Sequence, residues 1–133
     1  MRPLTAVWLD CAAADLATAE RILDDAALTG IVAFHAQQSI EKCYKALLEE
    51  AGRSVPRTHD LVRLAQLLSH DAIGALDDAL LVELSTLYVD VRYPGGFGLL
   101  PTGKPSLNDA RRYVEAAATF FALVQRHLGT FAE

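Results

Sequence analysis

Cysteine is scarce in this chain: Cys11 and Cys43 are the two it has among 133 residues. Both fall inside helical patterns, so each is expected to be a small buried apolar residue and not half of a disulfide. No disulfide framework holds such a chain together. Neither the cysteines nor the four histidines, His35, His59, His70 and His127, occur at paired ligand spacing, so no metal is expected. No cofactor motif stands out either. Long apolar runs are missing, which leaves nothing to span a bilayer. The first residues reach Asp10 too soon for a secretory apolar region, and the expected location is cytoplasmic. Cations are in deficit as well, with 12 Lys and Arg against 17 Asp and Glu, a formal net charge of −5. Affinity for nucleic acid draws on cations that release phosphate counterions, so the general surface is a poor match for duplexes.

What is present points to helices. Hydrophobic residues make up 52% and charged residues 22%, an ordinary globular balance. Alanine and leucine dominate, and both favour helix. A chain of 133 residues suits one domain over 1–133, large enough to bury a core unaided.

Helical spacing predicts a first helix over about 4–28, with Trp8, Cys11, Ala12, Leu16, Ala19, Ile22, Leu23 and Ala26 as its apolar positions and Thr29-Gly30 as its stop. A second helix is expected from Ile31 to Ala51, ended by Gly52. Its apolar arc holds Ala33, Ala36, Ile40, Cys43, Tyr44, Leu47 and Leu48. The opposite arc collects His35, Gln38, Glu41, Lys42, Lys45 and Glu49. Thr58 reads as the cap of a third helix running to about Ser69, with Asp60 in its first turn. A fourth helix is predicted over Ala75–Val91. Ser106 and Asp109 form a capping-box variant before a last helix ending near Leu128. Five helices with mostly short connections imply an all-α, up-and-down antiparallel bundle.

The stretch from Tyr93 to Pro105 differs, holding four glycines and three prolines, so regular structure is not expected there. Gly98 to Pro105 nearly spells a phosphate-binding loop. Pro105 stands where that loop needs a hydroxyl residue, however, and no strand precedes it, so no triphosphate cradle is expected. The stretch reads instead as a flap over Arg92, anchored by Phe97 or Leu99.

The string from Phe34 to Leu48, with Gln37-Gln38-Ser39-Ile40-Glu41-Lys42 at its centre, resembles the second helix of HEPN domains. Thr58-His59-Asp60-Leu61 after a Pro56-containing linker is similar to the start of that family's third helix. Val91-Arg92-Tyr93-Pro94 resembles the Arg-Tyr-Pro signature of one branch. Trp8-Leu9 and Asp15-Leu16 fit the first helix. The resemblance implies a helical bundle that commonly dimerises. It also implies a frequent pairing with a minimal nucleotidyltransferase in a toxin–antitoxin-like module. Active relatives of this kind are metal-independent endoribonucleases that use an arginine and a nearby histidine. Here the matching window after Arg92 falls on Phe97, Gly98 and Leu99, none of which is a base. The resemblance therefore implies a non-hydrolysing member.

The site expected on this basis is a polar groove of Gln38, Glu41, Lys42, Lys45, Arg92 and Tyr93 that takes a nucleotide, RNA or an acidic partner. The same residues also fit a solvated helix face with i,i+4 ion pairs. Arg92 and His59 are the catalytic candidates should the chain be an enzyme, a question the sequence leaves open. His59 is expected to hydrogen-bond Arg92 or Glu41 across the bundle. Its place in a helix first turn would disfavour the imidazolium. Three functions fit: a binding protein that works as a homodimer beside a nucleotidyltransferase-like partner, an endoribonuclease with an atypical Arg/His pair, and a purely structural interaction domain.

Overall fold

The computed structural model describes residues 1–68, 76–92 and 104–129, with the backbone alone described for 88–92. Among them are five α-helices and no strand: α1 (Pro3–Arg21), α2 (Thr29–Glu50), α3 (Leu61–Leu67), α4 (Asp78–Arg92) and α5 (Leu107–Gly129), plus one 3-10 turn at Ala26–Leu28. This is the all-α bundle that the periodicity implies. The segment from 93 to 103, with Tyr93, Phe97, Leu99 and all of the near phosphate loop but Lys104 and Pro105, lies outside the described residues.

Helix α2 is the centre of the bundle. It packs most extensively against α1 and then against α5, α4 and α3. Its predicted apolar arc is buried in full, from Ala33 through Leu48. Small residues let the helices approach: Ala12, Ala19, Ala33, Ala36, Ala46 and Ala117 are all completely buried. Cross-helix contacts fix α1 and α2 as antiparallel. Arg2 N donates to Glu50 Oε1 at 2.8 Å, while Ser39 Oγ donates to the Ala12 carbonyl at 2.9 Å. Tyr44 on α2 meets Phe120 on α5 with ring centroids 4.8 Å apart.

Local chemistry sets most of the ends. Gly52 has φ of +71°, a region that favours glycine, and it closes α2. Arg53 N reaches back to Leu48 O and Gly52 N to Glu49 O, both at 3.0 Å, the two bonds of a Schellman stop. At α5 the capping box is reciprocal. Asp109 N donates to Ser106 Oγ at 3.0 Å, and Ser106 N donates to Asp109 Oδ2 at 3.4 Å.

Four sequence expectations need correction. Thr29 and Gly30 do not end the first helix; they open α2. The break comes earlier because Asp25 turns its carboxylate onto Ala27 N at 2.9 Å and starts the 3-10 turn in place of another helical one. The third helix is capped by Asp60 and not by Thr58. Asp60 Oδ1 accepts from Val62 N at 3.0 Å and Arg63 N at 3.3 Å, and Thr58 Oγ1 accepts only from Asp60 N. Cys11 is exposed, since it sits opposite the stripe of Leu9, Ala12, Leu16 and Ala19 that α1 buries. The fourth helix begins at Asp78, three residues after the predicted Ala75.

Helix α4 is held to α5 by Glu83. Its carboxylate accepts from the Tyr113 hydroxyl and, at 2.6 Å, from the Arg112 guanidinium. Burial, followed by that carboxylate, holds the Tyr113 phenol well above its ordinary range. Buried Leu81, Leu84 and Leu87 seat this helix, whose last residue is Arg92, in the core.

Candidate functional site

The polar arc of α2 does not face open solvent. Glu41 is 3% exposed and Lys45 6% exposed, because α1, α3 and the segment before α3 wrap this side of the helix. Taking a carboxylate and an ammonium out of water is costly unless they pair and their remaining valences are filled. Here they are. Lys45 Nζ donates to Glu41 Oε2 at 3.0 Å across one helical turn. Glu41 Oε1 accepts from His59 Nδ1 at 2.8 Å and from Gln37 Nε2 at 3.2 Å. Gln37 Nε2 also donates to the His59 carbonyl at 3.2 Å, and Gln38 Nε2 donates to Gln37 Oε1 at 2.7 Å. Lys45 completes its surroundings by lying 5.5 Å from the centroid of the Trp8 ring.

One of the two partners expected for His59 is thus Glu41. The route differs from the expected one, however. His59 precedes the cap residue Asp60 and is not in the first turn, so the helix dipole is not what orients it. An ionised carboxylate only accepts, so the Nδ1 that faces Glu41 carries the proton. The imidazole is half exposed, at the mouth of an otherwise buried network.

A second cluster adjoins the first. Asp15, on α1, accepts from His35 Nδ1 at 2.9 Å through Oδ1 and from Lys42 Nζ at 2.5 Å through Oδ2. His35 and Lys42 sit two turns apart on α2, with Gln38 between them on the same face. Asp15 is the more buried partner, while His35 and Lys42 keep part of their surface open.

The structure therefore joins Gln38, Glu41, Lys45 and His59 in one hydrogen-bonded chain and puts Lys42 in the adjoining cluster. Arg92 closes α4, but its side chain, like all of Tyr93, falls outside what is described. Gln37 and Asp15 stood in the family-like strings but not among the expected site residues. Gln37 is completely buried; its signal was an amide lying between Tyr44 and Leu48 on the apolar arc. Asp15 also carried a trace: no cation stands three or four residues from it on α1, so any partner had to come from another helix. Among the described residues no group of His, Cys, Asp and Glu is arranged to hold a metal ion, and no helix is long and apolar enough to cross a membrane.

Comparison with curated proteins and with solved structures returned no match. A family model described as HEPN domain matches residues 5–127, a span that contains every helix core and both polar clusters, and the chain therefore belongs to the HEPN domain family.

Proposed function

We propose that this chain is a nucleotide- or RNA-binding HEPN protein, one domain over 1–133, that does not hydrolyse what it binds. In this reading it is a cytoplasmic homodimer that works with a nucleotidyltransferase-like partner in a toxin–antitoxin-like module. The observation that supports it is the satisfied polar network around Glu41. An alanine- and leucine-rich bundle holds together without buried charge, and replacing such pairs by apolar residues is often neutral or stabilising. A network kept at the centre of α2 therefore argues for a task besides folding. Glu41 and Lys45, already paired, would act as the rigid floor. Lys42, Gln38, Arg92 and Tyr93 would make the ligand contacts, with Lys42 and Arg92 as the phosphate-binding cations. The acidic balance of the rest of the chain suits a small or single-stranded ligand better than a duplex.

The test is equilibrium binding of labelled nucleotides and short RNA by fluorescence anisotropy. The double variant Lys42→Ala with Arg92→Ala is expected to lose binding while its circular-dichroism spectrum stays unchanged. Undiminished affinity would overturn the site assignment.

One observation favours a second reading, a metal-independent endoribonuclease. His59 is held by Glu41 through Nδ1, the arrangement that orients a general base. That reading expects RNA cleavage that persists in excess chelator and vanishes with Arg92→Ala. The absence of cleavage by the unaltered protein would remove it.

A further inference from the structure

His35, on the polar arc of α2, is held by the fold much as His59 is. Asp15 Oδ2 accepts from Lys42 Nζ at 2.5 Å, as a carboxylate paired with an ammonium does. Its other oxygen, 2.9 Å from His35 Nδ1, can then only accept. In neutral imidazole one nitrogen donates and the other accepts, and the hydrogen bond made by one nitrogen decides which. In the neutral ring Nδ1 is thereby the donor, and Nε2 is left as an acceptor. Phe34 packs edge-on against the same ring, with centroids 5.3 Å apart, and restrains its plane.

The surroundings narrow what that acceptor takes. A phosphate oxygen accepts and does not donate, so it gains nothing from Nε2 of the neutral ring. Ile31, 41% exposed, lies one turn before His35 on the same face and supplies a small apolar shelf. Gln38, one turn after, continues that face toward the Glu41 network. A neutral hydroxyl on a compact sugar ring meets these conditions.

We propose that Asp15, His35 and Lys42 form a hydroxyl-reading site. In it His35 Nε2 accepts a hydrogen bond from the ribose 2′-hydroxyl of the bound nucleotide, with Asp15 as the positioning residue. The site thereby distinguishes ribonucleotides from deoxyribonucleotides, the discrimination for which the 2′-hydroxyl is the available handle. This rests on the nucleotide-binding reading and deepens it.

Two measurements on the full chain test it. Long-range nitrogen–proton NMR reads the His35 tautomer without any ligand. Protonation at Nδ1 is expected in the unaltered protein, and Asp15→Ala is expected to lose that fixed preference. A neutral His35 protonated at Nε2 in the unaltered protein overturns the proposal. The second measurement compares an oligoribonucleotide with the oligodeoxyribonucleotide of the same sequence. The ribonucleotide is expected to bind several-fold to about tenfold more tightly, the worth of one hydrogen bond. His35→Ala is expected to bring the two affinities together by weakening the ribonucleotide. Base amines are common to both oligonucleotides, so this comparison isolates the hydroxyl. Equal binding by the unaltered protein, or a preference that survives His35→Ala, overturns the hydroxyl site and leaves the nucleotide-binding reading standing. No binding of either oligonucleotide or of free nucleotide overturns both.

Discussion

His59 Nδ1 lies 2.8 Å from Glu41 Oε1, a contact between residues 18 apart that ties the segment before α3 to the middle of α2. The same carboxylate also takes Lys45 and Gln37. A group with three partners in a nearly water-free place is over-determined, and its removal strands each of them.

Glu41→Ala is accordingly expected to destabilise the protein by about 3 kcal/mol, because it leaves the Lys45 ammonium buried without its counter-charge. Replacing both members, Glu41→Leu with Lys45→Met, is expected to recover most of that loss. Half-exposed His59 then turns to water, and Gln37 keeps the His59 carbonyl. Urea unfolding of the three proteins measures both effects. A single variant as stable as the parent would mean that Glu41 and Lys45 both reach water in solution.

The two cysteines are expected to behave differently. Cys43 is completely buried on α2, and burial pushes its thiol up to about 12. Thiolate is the reactive form, so Cys43 should stay silent toward a disulfide reagent at neutral pH. Cys11 is exposed on α1 and should react first. One thiol titrated in the folded protein and two after denaturation is the expected count. Two thiols reacting at the same rate without denaturant would contradict the packing of α2.

Acid should loosen the start of α5. Burial opposes the charge on Asp109, but hydrogen bonds from the Ser106 backbone and hydroxyl, together with Arg112, outweigh it and hold the carboxyl below its ordinary value of 3.8. A depressed folded-state value means that the unfolded chain binds the proton more readily. The contribution to stability is therefore complete above the ordinary aspartate range and is lost as pH falls through the folded-state value. The stability gap between the parent and Asp109→Asn should be constant near neutrality and close in acid. Ser106→Ala should cost about 1 kcal/mol at neutral pH, as the loss of a helix cap does. A gap that does not change with pH would mean that the carboxylate side of the box is not formed.

Much of this protein was set by short-range chemistry that the sequence states directly. The apolar periodicity of α2 named residues that are in fact buried. Gly52 and the Ser106–Asp109 box marked helix ends because each needs only neighbours within a few residues. Where local signals competed, the sequence misled. Thr29-Gly30 looked like a stop, yet Asp25 captured the backbone first; Thr58 looked like a cap, yet the carboxylate of Asp60 bonds the helix amides more strongly.

The polar face of α2 is the place where only tertiary structure decided. A row of Glu, Lys, Gln and His at helical spacing reads the same whether water or protein lies over it. Helical period reports which residues share a face and says nothing of what covers that face. Once α1, α3 and the chain before α3 close over α2, Glu41 and Lys45 become a buried pair instead of a surface one. The same closure brings Asp15 between His35 and Lys42, 20 and 27 residues along the chain. The helices and their ends came from neighbours in sequence. The two polar clusters came from α2 being the helix that the others surround, where an unpaired charge is too costly to leave without a partner.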